Sequence, residues 1–223
     1  MVHVRVNIER PSKEIVEAFR KHATATIHEA SGKKGYIDYR IKPIQKGIKV
    51  CGPAFIVQCA AGDNMMLHKA LEKAQPGDVI VATVGGAEDY GYFGDLMAAS
   101  ALARGIEALA IEGCIRDSEE IIEAGFKIFS KGLCIRGTGK GTLGVINYPT
   151  VFGGQTINPG DLIVGDDDGL VVVRREECEE VLKKTQARVE KECEKEKVLA
   201  TGVSSVEYNN FAPLFEAAGL VEE

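Results

Sequence analysis

The chain has 223 residues, of which 45% are hydrophobic and 27% are charged, a balance that is typical of globular proteins and argues against wholesale disorder. It carries 27 Lys and Arg residues against 33 Asp and Glu residues, a formal net charge of −6. Because the basic clusters are short, nucleic acid is not the expected partner. No apolar run approaches the ~20 residues that cross a bilayer, and the first residues lack a hydrophobic signal core, so we expect a cytoplasmic protein without a membrane partner.

Six cysteines are present, and no two of them are spaced as CxxC. This spacing excludes a zinc ribbon and a thioredoxin-type motif. In a protein that is not secreted, we expect reduced thiols.

In the first third of the chain, short strands and helices are predicted to alternate. Val2, Val4, Val6 and Ile8 alternate with polar residues, as on a half-buried strand. The following predictions are a helix opened by Pro11, a helix over 24–30, an irregular stretch over 33–48, a strand over 50–60 and a helix over 64–74.

The remainder of the chain continues as strand, loop and helix units. The predictions are a strand over 79–84, a glycine-rich loop over 85–94, a helix from Asp95 to about 104, a strand over 108–111, a helix through 124, strands over 127–130, 162–164 and 170–173, and a charged helix from 176 to about 199. No low-complexity linker divides the chain. We therefore predict a single α/β domain over residues 1–223 with helical extensions.

Three segments rich in glycine or aspartate are predicted to be turns. PGDVIV at 76–81 returns as PGDLIV at 159–164, and PGD is good turn chemistry. The segment 166–169 lacks the alternating acidic residues of a calcium loop. The segment 137–142 lacks the glycine and hydroxyl positions of a phosphate-binding loop.

Two loops are predicted to meet at one edge of the sheet. Asp95 begins the helix that follows strand 79–84, and Arg116 and Asp117 follow strand 108–111. If these strands are parallel, the helix crosses over and both loops lie at the carboxyl ends of the strands, where open α/β sheets bind ligands.

The groups at this edge suit an anionic ligand and a hard cation. The amides of Leu96 and Met97 can hold a carboxylate, and Arg116 offers a planar fork to an oxygen anion. Asp95 and Asp117 supply carboxylate oxygens, which suit magnesium or manganese better than zinc. The alternative is that Asp95 only caps a helix and that Arg116 and Asp117 form a surface pair.

The pattern D-x20-R-D formed by Asp95, Arg116 and Asp117, ending in EGCIRD, resembles the metal-dependent pyruvate aldolases. That family acts on 4-hydroxy-4-methyl-2-oxoglutarate and 4-carboxy-4-hydroxy-2-oxoadipate and shares its fold with the regulators of ribonuclease activity A. Further blocks that look familial are TATIHEASGKKGYID, GPAFIVQC, DNMMLHKAL, QPGDVIV, GTGKGTLGVIN, NPGDLIVGDDDGLVVV and EKECEKEKVLATG. The resemblance covers about 24–220.

The resemblance implies an RraA-like α/β fold. This fold is a layered β/β/α sandwich of the swivelling-domain type with amino- and carboxyl-terminal helical extensions. The carboxyl-terminal extension, 175–223, is expected to pack on a neighbouring subunit of a homotrimer or homohexamer.

The resemblance also implies site roles. Asp117 would be the direct protein ligand of Mg²⁺ or Mn²⁺, Asp95 would hold a metal-bound water, and Arg116 would contact the pyruvyl group and its enolate. The implied substrate-binding positions are Gly94, Leu96, Met97 and Arg116. Groups that bind the distal part of the substrate are not located by the sequence, and Arg and Lys residues of 33–48 are candidates.

Acidic residues from a neighbouring subunit are implied as well. Glu29 and Glu192 best match those positions, and both are assigned catalytic roles. Glu190 or Glu194 could replace Glu192, because a charged helix aligns poorly.

The implied activity is cleavage of 4-hydroxy-2-oxo acids to pyruvate through a metal-stabilised enolate. Oxaloacetate decarboxylation would pass through the same enolate. The rival chemistry is a Schiff-base aldolase using Lys127 or Lys131. A nucleophilic role for Cys114 is not favoured, because no histidine is near it in sequence. The alternative function is a non-catalytic regulator that binds ribonuclease E or helicases.

Overall fold

The computed structural model describes residues 2–222. Thirteen strands lie within this range: β1 His3–Val4, β2 Lys42–Pro43, β3 Val50–Gln58, β4 Val79–Thr83, β5 Ala108–Ile111, β6 Cys114–Ile115, β7 Ile128–Ser130, β8 Gly132–Leu133, β9 Val145–Ile146, β10 Thr150–Phe152, β11 Gln155–Ile157, β12 Leu162–Asp166 and β13 Gly169–Val173. The helices are α1 Lys13–Phe19, α2 Thr24–Ala30, α3 Met65–Lys73, α4 Asp95–Ala103, α5 Ser118–Ala124, α6 Cys178–Leu199, α7 Ser205–Tyr208 and α8 Ala212–Ala217, with a 3-10 turn at Arg175–Glu177 before α6.

Four parallel strands form the centre of the main sheet, in the order β3, β4, β5 and β7. Their residues are apolar on both faces and almost all buried, as expected of strands covered on both sides. The antiparallel hairpin of β12 and β13 pairs with the first half of β3 and folds back over the sheet.

Three apolar clusters hold the layers together. One face of the sheet packs against α3 and α4, the other face packs against the β12–β13 hairpin, and the outer face of that hairpin packs against α1, α2 and α6. The predicted mixed α/β architecture, with sheets and helices in layers, is therefore confirmed.

The predicted strand at 2–8 is shorter in the structure than the sequence pattern indicates. Only His3 and Val4 form the edge strand β1, because its partner β9 is itself only two residues long. The first helix begins at Lys13 rather than at Pro11, since the Ser12 hydroxyl accepts a hydrogen bond from the Ile15 amide and fixes the start of the helix.

The repeated PGD segments are turns, as predicted, and each places a buried aspartate. Asp78 accepts a hydrogen bond from the Gln75 amide at 2.8 Å and pairs with Arg10 at 2.7 Å. Asp161 accepts from the amide three residues before it at 2.8 Å and pairs with Arg174 at 2.8 Å. The repeat thus encodes a turn whose aspartate is neutralised by an arginine from elsewhere in the chain.

The other two predicted turns are also explained by internal hydrogen bonds. At the end of 137–142, the Gly141 amide donates to the buried Asp63 carboxylate at 2.7 Å. Asp166 accepts from the Thr24 amide at 2.9 Å and from its hydroxyl at 2.6 Å, and Asp167 accepts from the Gly47 amide at 2.7 Å.

No helix within residues 2–222 has the length and apolarity that a bilayer crossing demands. All six cysteines are free thiols.

Candidate active site

The two loops that the sequence singles out do meet. Strands β4 and β5 are parallel, with Ala82 opposite Ile111, and α4 forms the crossover between them. Beyond the strand ends, Gly91 pairs with Cys114, and the Arg116 amide donates to the Phe93 carbonyl at 3.0 Å. These bonds bring the start of α4 beside Arg116 and Asp117.

Asp117 has a left-handed backbone, with φ 56° and ψ 42°. Aspartate tolerates this conformation better than most residues do, and such outliers cluster at functional sites. Its side chain makes no cap hydrogen bond to α5. Instead, Oδ2 lies 3.4 Å from the Arg116 Nε and 3.4 Å from the Asp95 backbone nitrogen. The carboxylate therefore faces the start of α4.

Gly94 leaves the room that this carboxylate uses. A Cβ atom at position 94 would lie 2.4 Å from the Asp117 Oδ2 and 3.3 Å from the Arg116 Nε. The φ of Gly94 is −132°, which any residue can adopt. Glycine is therefore required here for space and not for backbone freedom.

The first turn of α4 offers one clearly free amide. The Leu96 amide has no hydrogen-bond partner within residues 2–222, whereas the Met97 amide already donates to the Gly94 carbonyl at 3.1 Å. A carboxylate bound here would take the Leu96 amide outright and share the Met97 amide.

A cavity of about 220 Å³ opens at this point. Predicted positions on its wall are Gly94, Asp95, Leu96, Met97 and Arg116. The lining residues without a predicted role include Asn64, His68, Thr138 and Lys140. The Arg and Lys residues of 33–48 do not line it within one copy of the chain, so their role toward the distal part of a substrate stays a prediction. A larger cavity, of about 480 Å³, lies beside residues 31–36 and contains none of the predicted catalytic residues.

Glu29 and Glu192 lie together, but outside this cavity. Arg188 on α6 bridges them: its Nε lies 2.7 Å from the Glu192 Oε1, and its Nη2 lies 3.7 Å from the Glu29 Oε2. The Thr26 hydroxyl donates to Glu192 at 3.3 Å. Among the three glutamates considered on α6, Glu192 is thus the one that adjoins Glu29.

The side chains that could bind a metal ion at this site are few. No group of three or more His, Cys, Asp or Glu side chains within residues 2–222 is arranged to hold an ion. Zinc sites usually draw three or four such ligands from the protein, whereas Mg²⁺ keeps several waters and binds through one or two carboxylates. The Asp117 carboxylate, with Asp95 beside it, fits the second type.

The rival nucleophiles are engaged elsewhere. Lys127 pairs with Glu107 at 2.9 Å, and Lys131 pairs with Glu88. A Schiff base needs a lysine amine that is desolvated and free to attack, whereas both of these amines are engaged in ion pairs. Burial raises the pKa of the Cys114 thiol, which disfavours the thiolate that a nucleophile requires.

Comparison with known proteins shows the family of the chain. The sequence profile of the RraA-like family, described as Aldolase/RraA, matches residues 17–172. The chain belongs to this family. A Halalkalibacterium halodurans relative, provisionally named 4-hydroxy-4-methyl-2-oxoglutarate aldolase, is 35% identical over 193 residues, covering 86% of this chain and 92% of its own. Relatives with such names support an aldolase-type enzyme in general.

Solved RraA-like structures share the fold. An uncharacterized protein from Pseudomonas syringae superposes with a TM-score of 0.81 at 28% identity, over 89% of this chain and 93% of its own. Streptomyces coelicolor RraAS2, described as an unusual member of the RNase ES inhibitor RraA protein family, gives a TM-score of 0.75 at 29% identity, over 83% of this chain and 97% of its own.

Proposed function

We propose that this protein is a divalent-metal-dependent aldolase that cleaves 4-hydroxy-2-oxo acids to release pyruvate and also decarboxylates oxaloacetate. The observation that carries the proposal is that Arg116 and the amino end of α4 line one cavity. The Asp117 carboxylate is not part of the cavity lining but lies directly behind it, 3.4 Å from the Arg116 Nε and from the Asp95 backbone nitrogen. This arrangement combines a hard anionic ligand, a planar cation and a free amide, which a 2-oxo carboxylate needs.

Substrate binding begins at α4. The Leu96 amide and the partial positive charge of the helix amino end attract the carboxylate of the pyruvyl group. The Arg116 side chain makes only the 3.4 Å contact with Asp117 within residues 2–222, so its outer nitrogens are available to the 2-oxo oxygen. Two fixed points orient the pyruvyl group.

Asp117, with Asp95 beside it, would hold Mg²⁺ or Mn²⁺. When bound, the ion supplies Lewis-acid stabilisation of negative charge on the 2-oxo oxygen.

The proposed cleavage breaks the bond between C3 and C4 of the substrate. The 4-hydroxyl loses its proton, the C4 oxygen forms a carbonyl, the bond between C3 and C4 breaks, and its electrons become the enolate of pyruvate. Arg116 donates to the oxygen where this charge develops. A proton then adds to C3 and gives pyruvate. Oxaloacetate reaches the same enolate by losing carbon dioxide.

Acid–base residues complete the proposal. Asp95 is half-buried on the cavity wall and would hold the water that accepts the 4-hydroxyl proton. We propose that Glu29 and Glu192 of a second copy of the chain approach the same water in a homotrimer or homohexamer. The charged surface of α6 and the extension over 175–223 would form part of that contact.

The test is a coupled pyruvate assay over a panel of 2-oxo acids, with Mg²⁺, with Mn²⁺ and with EDTA. Release of pyruvate from 4-hydroxy-4-methyl-2-oxoglutarate that EDTA stops and Mg²⁺ restores supports the proposal. Irreversible loss of activity on treatment with borohydride in the presence of pyruvate would indicate a Schiff base instead. No release from any substrate, with capture of a ribonuclease in a pull-down, would favour the regulator.

A further inference from the structure

A groove of about 340 Å³ between α3 and α4 adjoins the candidate active-site cavity. The groove and the cavity share His68, Leu96 and Met97 as lining residues. Leu96 is 80% exposed, whereas the neighbouring Met97 is buried. The outer side of the cavity is therefore bounded by an apolar surface that this copy of the chain leaves open to solvent.

The groove combines an apolar base with a basic rim. Leu71 and Met97 are buried at its base, and Glu72 is the carboxylate on its lining. Glu72 pairs with Lys69 and with Lys73, both at 2.6 Å, and the guanidinium of Arg104 donates to the Glu72 backbone carbonyl at 2.8 Å. Three cations thus surround one carboxylate, which suits an apolar segment with an acidic flank.

The last part of the chain has that composition and is not packed on the body of its own copy. From Ser204 to Glu222, every residue except Asn209 is exposed. Residues 201–223 contain four glutamates and neither lysine nor arginine. The tail, residues 201–222, therefore complements the groove in charge.

Helix α8 of the tail presents one apolar face. Phe211, Leu214 and Phe215 are spaced i, i+3 and i+4, which places them on the same side, and they are 38%, 63% and 39% exposed. The rings of Phe211 and Phe215 meet edge to face, with 6.4 Å between their centroids. A helix of six residues is marginal in water on its own, so this face needs a surface to pack against.

Contacts with α6 fix where the tail lies. The Lys195 Nζ donates to the Asn209 Oδ1 at 3.0 Å and lies 5.2 Å from the centroid of the Tyr208 ring. Lys195 follows Glu192 by three residues, or ~4.5 Å along the helix axis. Asn209 precedes the start of α8 by three residues, at most ~10 Å of chain. The tail thus folds back along α6 and brings α8 near Glu192.

The groove that α8 could reach belongs to another copy of the chain. Within one copy, α6 packs on the outer face of the β12–β13 hairpin, and the main sheet separates that layer from α3 and α4. Between copies, the arrangement proposed above brings Glu192 to the water held by Asp95. Leu96 follows Asp95 directly, so the same arrangement brings α8 to the groove.

Resting on the function proposed above, we infer that α8 of a second copy packs its apolar face into the groove between α3 and α4. The tail then covers Leu96 and closes the outer side of the cavity. Water is excluded from the Leu96 amide and from the oxygen on which the enolate charge develops, which strengthens both interactions. The second copy contributes a cover to the site in addition to its acidic residues.

A single fluorescent probe tests the docking, because the chain contains no tryptophan. We expect Phe215→Trp to show blue-shifted emission and weak quenching by acrylamide. Adding Ser100→Glu, which places a charge in the groove, should raise the quenching severalfold and shift the emission to that of an exposed indole. Adding Ala99→Glu, at an exposed α4 position outside the groove lining, should change neither. An exposed indole in Phe215→Trp itself, or equal effects of the two glutamates, overturns the inference.

The fluorescence measurement is independent of turnover and so separates this inference from the proposed activity. Shielding that Ser100→Glu alone removes supports the docking even if no 2-oxo acid is cleaved. An exposed indole overturns it even if the protein releases pyruvate with Mg²⁺. In active protein, Ser100→Glu should lower kcat/KM for oxaloacetate severalfold, because water then enters the cavity, and Ala99→Glu should not. Full activity with the indole released overturns the covering role.

Discussion

The Asp117 Oδ2 lies 3.4 Å from the backbone nitrogen of Asp95, although the two residues are 22 positions apart in the chain. This contact joins the loop after β5 to the start of α4. It places a carboxylate where the positive end of a helix stabilises its charge.

Replacing Asp117 by asparagine tests the carboxylate without disturbing the backbone, because asparagine also tolerates a left-handed conformation. We expect Mg²⁺-dependent pyruvate release to fall at least about 100-fold, since even residues that only support metal ligands cost ~10–100-fold. The measurement is the coupled assay across a range of Mg²⁺ concentrations. The matched control is Glu119→Gln, because the side chain of Glu119 is exposed on α5. Equal activity in the Asp117 and Glu119 variants would contradict the assignment of Asp117.

Arg116→Lys keeps the charge and removes the planar fork. We expect kcat to fall by about 10²–10³, because a lysine cannot reproduce two aligned donors at the developing enolate. Steady-state kinetics with oxaloacetate measures the loss, and an unchanged melting temperature shows that the fold persists. Full activity of the lysine variant would mean that the position supplies only charge.

Gly94→Ala adds one methyl group where the Asp117 Oδ2 lies 2.4 Å away. Something must move, and an error of about 1 Å in a catalytic group can cost ~100-fold in rate. We therefore expect a large loss of kcat. Gly132→Ala meets only the Cys114 Sγ, at 3.5 Å, and should retain activity. If both variants are equally active, the carboxylate position is not critical.

A mixing experiment tests whether Glu192 serves a second copy of the chain. Asp117→Asn and Glu192→Gln subunits, each weakly active alone, should regain activity when they are unfolded and refolded together, because some sites then combine an intact Asp117 with an intact Glu192. Glu190→Gln alone should remain active, since Glu190 does not adjoin Glu29. Failure of the mixture to exceed its components, with mixed oligomers confirmed by mass spectrometry, would place Glu192 outside the neighbouring site.

The pH dependence of stability has one marked contributor away from the site. Hydrogen bonds from Arg40 lower the pKa of Asp38 from 3.8 to about 2. A lowered pKa stabilises the fold above pH ~4, and this contribution is lost as pH falls towards 2. Because Arg40 is 60% exposed, the effect is at most ~1 kcal/mol. Urea unfolding of Asp38→Asn should show a deficit at pH 7 that disappears near pH 2, and a constant deficit would argue against an ionic origin.

The parallel crossover could be predicted because its signals are local. Continuous apolar runs mark β4 and β5, and glycines bound the helix between them, so the meeting of Asp95 and Asp117 followed from strand direction alone. The edge strand β1 was overestimated, because an alternating pattern does not reveal how short the partner strand is.

The part of the cavity wall formed by Asn64 and Lys140 could not be predicted in the same way. Asn64 and Lys140 are 76 positions apart in the sequence numbering and belong to a helix start and an irregular loop. The carboxylate of the buried Asp63 brings them together, because it accepts hydrogen bonds from the Gly141 and Thr142 amides and from the Met65 amide. No sequence pattern predicts these hydrogen bonds. The segment around Lys140 was recognised as a turn and as one of the familial blocks, but neither observation placed it on the cavity wall.

The left-handed backbone at position 117 limits which ligands evolution can place there. Asparagine retains the shape without the charge, and glycine retains it without a side chain, whereas glutamate or cysteine would have to accept an unfavourable φ. For the metal site proposed above, the choice of a short side chain at this position is therefore constrained by a dihedral angle as well as by charge.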